Sequence, residues 1–346
     1  MKKENVRKIA NLLLLVIVFA ITLWSVFGGE DLKELRSYLQ SADFLYLFPA
    51  VLCVIFFIIG EAVVIVFLMR SLGTQVRFSH CCLYSFIGFF YSSITPSASG
   101  GQPMQVVAMR TDGIPVAVST VVLAIVTILY KLVLVVIGVG VMVIRPPVIM
   151  AYLDHVDPLI YLGVALNVGC IILLLMLVFH PGFIQACAQK AQIWITRIRP
   201  MKHPEKLQRR LENMTSQYTG TADYYRTHKR VIFVVFVLTL LQRFLLFLVT
   251  WFSYRAFGLQ GERIMNIVLL QAMISVAVDM LPLPGGMGVS ENLFLRIFLP
   301  VFGSELVLPG MVISRGISYY TQLLISAVMT LAASFIIRRK GKKEAH

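Results

Sequence analysis

Charge is what this sequence has least of. Asp, Glu, Lys and Arg make up 14% of its 346 residues, against about a quarter in an ordinary soluble domain. Acidic residues are scarcer than basic ones, 17 against 31. Signatures of soluble catalysis are missing too. The chain has no His-Glu-x-x-His, no Gly-x-Ser-x-Gly, no Walker loop and no aspartate cluster suited to metal-assisted phosphotransfer. Without a nucleotide loop, transport is expected to be driven by a gradient or to run downhill. Cys53, Cys81, Cys82, Cys170 and Cys187 lie in or beside apolar runs without zinc-ligand spacing, which reads as small buried residues rather than a metal site. No cofactor and no metal is expected.

Apolar residues are abundant: 58% of the chain is hydrophobic and the mean hydropathy is +0.82. Several apolar runs exceed the ~18 residues that mark a membrane span. Spans are predicted at 9–27, 44–69, 115–144, 157–179, 231–256 and 309–337. The first follows the basic "MKKENVRK" and has no small-residue cleavage site after it, which predicts a retained signal anchor. Two more segments, 79–110 and 264–299, are apolar but interrupted, and each half has room for a short helix only. The net charge of +14 does not point to nucleic acid, because Lys and Arg cluster at the ends of the apolar runs, where they orient a protein in the membrane.

The same charges decide how the interrupted segments run. If both are hairpins that return to their own side, 22 of the 31 basic residues are cytoplasmic, five are external and four lie within apolar segments. A full crossing by the first segment, alone or with the second, would put the basic stretch 181–230 outside, against the positive-inside rule. The expected fold is therefore an all-α polytopic membrane protein with about six full spans and two re-entrant helical hairpins. Both termini are then cytoplasmic, and 181–230 is a cytoplasmic connector of two amphipathic helices, 183–199 and 204–226. Residues 44–144 and 231–337 become span, hairpin, span in opposite orientations. Gly100-Gly101 then aligns with Gly285-Gly286, and Pro96 with Leu281. Inverted repeats with paired broken helices point to a transporter's binding site.

The interruptions read "SITPSASGGQP" and "DMLPLPGGMGVSEN". Prolines end a helix and glycines permit a tight turn, and backbone opened at membrane depth must be buried in protein or line a wet cavity. In the first, Thr95, Ser97, Ser99, Gly100, Gly101 and Gln102 offer hydroxyls, an amide and free backbone N–H groups. The half-helix after it is predicted to start near Gln102-Pro103, or slightly earlier if Ser99 and Gln102 form a capping box. In the second, Asp279, Gly285, Gly286, Gly288, Ser290 and Glu291 are the candidates, with Ser290 as a cap. Lys131, Arg243 and Arg315 lie within spans, where a cation is costly unless it faces an interior or cavity. Glu61, Asp279 and Glu291 are acidic residues able to pair with them. Cations and half-helix N-termini at one depth suit a phosphate-bearing ligand; helix-stapling ion pairs are the alternative.

With "TPSASGGQPMQ" in the first half, and "LPLPGGMGVSEN" and "VISRGISYYTQLLIS" in the second, the chain resembles the lysylphosphatidylglycerol synthase transmembrane-region family. This is the flippase-like domain at the front of the multiple peptide resistance factor. The resemblance covers about residues 9–337. It implies movement of an anionic or aminoacylated phospholipid, or a lipid-linked glycan, across a bacterial cytoplasmic membrane, in the setting of antimicrobial peptide resistance. It points to Pro96, Gly100, Gly101, Gln102, Pro284, Gly285, Gly286, Gly288, Ser290, Glu291 and Arg315. Tyr130-Lys131 departs from the acidic–basic pair of many members. The factor's soluble aminoacyl-transferring domain is expected to be absent, so lysyltransferase activity is not expected of this region alone. The expected partner is a membrane lipid with a phosphate headgroup, with no nucleic acid; a homo-oligomer or a lipid-modifying enzyme partner is compatible with this. Transport of a small soluble anion is the rival reading, and a membrane component of lysylphosphatidylglycerol synthesis another.

Overall fold

The computed structural model describes residues 32–153, 156–180 and 204–343, and among them every regular element is helical. The predicted first span and the first connector helix lie outside the described residues. In chain order the helices are α1 (Leu32–Ser41), α2 (Phe44–Ser71), α3 (Phe78–Ser93), α4 (Gly101–Thr111), α5 (Val116–Ile144), α6 (Pro147–Leu153) and α7 (Asp157–Phe179). There follow α8 (Pro204–Thr227), α9 (Lys229–Ala256), α10 (Ile264–Val278), α11 (Val289–Phe302), α12 (Val307–Arg315) and α13 (Gln322–Lys343).

Four of these helices, α2, α5, α7 and α9, are long and apolar enough to cross a membrane. They match the predicted segments at 44–69, 115–144, 157–179 and 231–256 to within two residues. The predicted span at 309–337 is helical but uneven. α12 ends at Arg315, a π turn runs over Gly316–Thr321, and α13 follows. The second connector helix forms as α8, with Pro204 at its first residue, where a missing N–H has no consequence.

Local chemistry explains the boundaries. The Asp43 carboxylate caps α2 by accepting from Leu45 N at 2.8 Å. α2 and α4 end alike. Gly73 and Gly113 take positive φ, and the three N–H groups that follow each helix return to two carbonyls of its last turn, those of Met69 and Arg70 in one case and of Met109 and Arg110 in the other. α2 and α9 are close neighbours, fastened by Gln242 Nε2 donating to Phe57 O at 2.9 Å. α8 is tied to the bundle by buried Tyr225, whose hydroxyl donates to Leu68 O at 2.8 Å.

Both interrupted segments are helix–turn–helix hairpins. His80 at the start of α3 meets Asp112 just past α4 at 2.8 Å, and the Tyr84 hydroxyl donates to the same carboxylate. The first hairpin therefore returns to the end it left. α10 and α11 pack on each other, and Phe302 at the end of α11 meets Tyr254, in the last turn of α9, with ring centres 5.5 Å apart; the Tyr254 hydroxyl accepts from Glu262 N, just before α10, at 3.4 Å. A 16-residue helix such as α3 is about 24 Å long, shorter than a hydrocarbon core of about 30 Å.

Candidate functional site

The two hairpin turns have one backbone geometry. Thr95 is extended, Pro96 follows, and Ser97 and Ala98 are left-handed at φ 51 and 54. Leu283 is extended, Pro284 follows, and Gly285 and Gly286 are left-handed at φ 58 and 66. The structural match is therefore Pro96 with Pro284 and Ser97-Ala98 with Gly285-Gly286, a correction to the glycine-pair alignment. Gly100-Gly101 do not occupy the left-handed positions; Gly100 is right-handed at φ −85 and caps α4. The turns touch each other, with Ser97 Oγ donating to Leu281 O at 3.3 Å. Tyr319, on the π turn, donates its hydroxyl to Ser93 O at 2.9 Å, and its ring covers Gly285.

The first turn is held by its own hydroxyls. Thr95 Oγ1 donates to Tyr91 O at 2.7 Å and accepts from Gly100 N at 2.9 Å, joining the end of α3 to the start of α4. α4 begins at Gly101, and the Ser99–Gln102 capping box does not form. The Gln102 amide donates instead to the Thr127 hydroxyl on α5, and the Ser99 side chain is exposed. Gly101 is buried against Ser92, with no room for a Cβ.

The second turn is built around a carboxylate. Glu291, 3% exposed, accepts from Gly288 N at 2.7 Å, from Ser290 Oγ at 2.8 Å and from Arg315 Nε at 2.8 Å. Gly288 is the N-cap of α11, so Glu291 makes the reciprocal half of a capping box. Ser290 is therefore not the cap. Arg315 Nη2 also donates to Gly285 O at 3.0 Å. Arg315 is thereby joined to the turn that Tyr319 clasps.

Lys131 and Arg243 meet elsewhere, at Asp279 just after α10. Lys131 Nζ lies 2.7 Å from Asp279 Oδ2 and 3.5 Å from Asn167 Oδ1 on α7. Arg243 Nη2 is 3.8 Å from Asp279 Oδ1, and its guanidinium carbon sits 3.3 Å above the Tyr130 ring centre. Arg243 is 3% exposed, and its Nε and Nη2 have no hydrogen-bond partner. Nearby, Glu61 on α2 accepts from Gln105 Nε2 on α4 at 2.6 Å and interacts electrostatically with Arg243. Among the described residues no group of three or more metal-ligating side chains occurs.

The charged candidates thus fall into two groups, Lys131 and Arg243 with Asp279, and Arg315 with Glu291 beside Ser290 and the Gly285–Gly288 turn, while Thr95, Ser97, Ser99, Gly100, Gly101 and Gln102 form the first turn and the start of α4. Gln105, Tyr130, Asn167 and Tyr319 were not among the candidates. Gln105 and Asn167 were findable as lone amides in apolar runs, whereas nothing in the sequence marks Tyr319 as the clasp.

The sequence model of the family Lysylphosphatidylglycerol synthase TM region matches residues 11–326. The chain belongs to that family. No match is found among curated proteins. Membership of the Lysylphosphatidylglycerol synthase TM region family, with the long apolar helices, makes this a membrane protein whose domain is linked to lipid handling. Both hairpin turns and both polar groups lie inside the matched residues.

Proposed function

We propose that this member of the Lysylphosphatidylglycerol synthase TM region family moves a phospholipid with an anionic or aminoacylated headgroup, or a lipid-linked glycan, between leaflets of a bacterial cytoplasmic membrane. The proposal takes the two hairpins as re-entrant elements of inverted repeats, with both termini cytoplasmic. The phosphate is held by Lys131 and Arg243 beside Asp279, while the acyl chains stay in the bilayer.

The observation that carries this reading is Arg243. A guanidinium at 3% exposure with two nitrogens lacking hydrogen-bond partners is a costly arrangement, and a phosphate oxygen relieves it. Lys131 stands on the other side of Asp279 and supplies a second cation. Glu291 already holds Arg315 at 2.8 Å, so Arg315 shapes the second turn and the headgroup is assigned to Lys131 and Arg243.

The test is leaflet exchange of fluorescent phosphatidylglycerol in reconstituted vesicles, read by chemical quenching of the outer leaflet. Faster exchange than in protein-free vesicles is expected. A second arm follows release of entrapped inorganic phosphate; release without lipid exchange would overturn the lipid reading in favour of a soluble anion. A third arm offers lysyl-tRNA and phosphatidylglycerol, and no lysyl-lipid is expected.

A further inference from the structure

The three carboxylates associated with the buried cations are satisfied very differently. Glu291 accepts three hydrogen bonds, one of them from Arg315. Asp279 has Lys131 at 2.7 Å and Arg243 at 3.8 Å. Glu61 accepts from the neutral Gln105 amide, and among the described residues no ion pair includes it. The groups that face it are few. α4 presents Gln105; α9 packs Gln242 against Gly60 and Phe57, with Arg243 the next residue; and its own helix carries no other charged residue before Arg70. Beyond Arg243 lies the Lys131–Asp279 pair. Glu61 is partly exposed, whereas Arg243 is buried.

We infer that Glu61 is a proton-binding site coupled to the anion site at Arg243, so that one proton is taken up with each phosphate headgroup bound. The inference rests on the lipid reading above, and charge balance is its logic. With Glu61 ionised, Lys131, Arg243, Asp279 and Glu61 sum to zero, and an arriving phosphodiester would leave a net negative charge in a low-dielectric interior, which is costly. With a proton from water on the Glu61 carboxylate the four groups sum to +1, and one phosphodiester restores neutrality. Proton and headgroup therefore favour each other's binding, and by linkage the effect is reciprocal. The Gln105–Glu61 hydrogen bond carries the change in protonation to α4, an arm of the first hairpin.

The linkage is read by isothermal titration of the purified full chain in detergent with dihexanoyl phosphatidylglycerol, in buffers of different protonation enthalpy. The wild type is expected to take up close to one proton per lipid at alkaline pH, with affinity falling about tenfold per pH unit there. Glu61→Gln should bind without proton uptake and with pH-independent affinity. Glu61→Asp should keep the uptake but move its midpoint pH, and it decides the matter if Glu61→Gln is not monodisperse. Wild-type binding without proton uptake, an unchanged pH slope in Glu61→Gln, or an unmoved midpoint in Glu61→Asp overturns the coupling alone. No lipid binding by the folded wild type overturns the lipid reading and the coupling together.

Discussion

The Tyr319 hydroxyl donates to the Ser93 carbonyl oxygen at 2.9 Å, across 226 positions of sequence. The same ring lies over Gly285, where an added Cβ would come within 2.1 Å of it. One side chain on the π turn therefore holds the end of α3 against the second hairpin turn. Tyr319→Phe keeps the ring and removes the bond, and should cost about 1 kcal/mol, read as a small drop in thermal unfolding temperature in detergent. Gly285→Ala meets both the ring and a φ of 58, and should lower that temperature considerably more.

The buried Glu291–Arg315 pair has a different signature. Glu291→Gln or Arg315→Gln leaves one partner in the interior without its counter-charge, at a cost of about 3–5 kcal/mol. Replacing both, as Glu291→Leu with Arg315→Met, should recover much of that loss. Thermal unfolding of the two single variants and the double variant checks this, and single variants as stable as the wild type would contradict it.

The helix breaks were legible because proline and glycine at membrane depth have few other uses. The match between the turns was not. Aligning them by glycine assumes that glycine marks the left-handed positions, but the first turn places Ser97 and Ala98 there, and its Gly100-Gly101 pair opens α4. Lys131 and Arg243 were recognisable as cations in apolar runs. That they share Asp279 depends on packing of α5, α9 and α10 across 148 and 36 positions, which no local pattern encodes. The Ser99–Gln102 pattern failed for a tertiary reason, since Thr127 on α5 takes the Gln102 amide.

On the proposed lipid reading, Asp279 competes with the headgroup phosphate for both cations. Asp279→Asn should lower stability by about 3–5 kcal/mol, because Lys131 loses its partner. It should also gain more thermal stability than the wild type on addition of phosphatidylglycerol. Unfolding temperatures with and without the lipid measure both effects.

Outside the spans, the Tyr152 hydroxyl on α6 donates to Glu262 Oε1 at 2.6 Å. That hydrogen bond to a carboxylate, with burial, pushes the phenol from 10 up to about 12. Folding favours its protonated form, so the contribution is present below pH 10 and is lost as pH rises through about 12. Tyr152→Phe should flatten the fall in unfolding temperature between those values relative to the wild type.

Arg243 is the residue on which the account turns, and leaflet exchange of labelled phosphatidylglycerol at matched protein density tests it most directly. The wild type should exchange lipid well above the protein-free rate. Arg243→Gln, which removes a charge-assisted contact, should slow that exchange by about 10–100-fold in vesicles that contain monodisperse protein. A wild-type rate equal to that of empty vesicles, or an Arg243→Gln rate equal to the wild type, would contradict it.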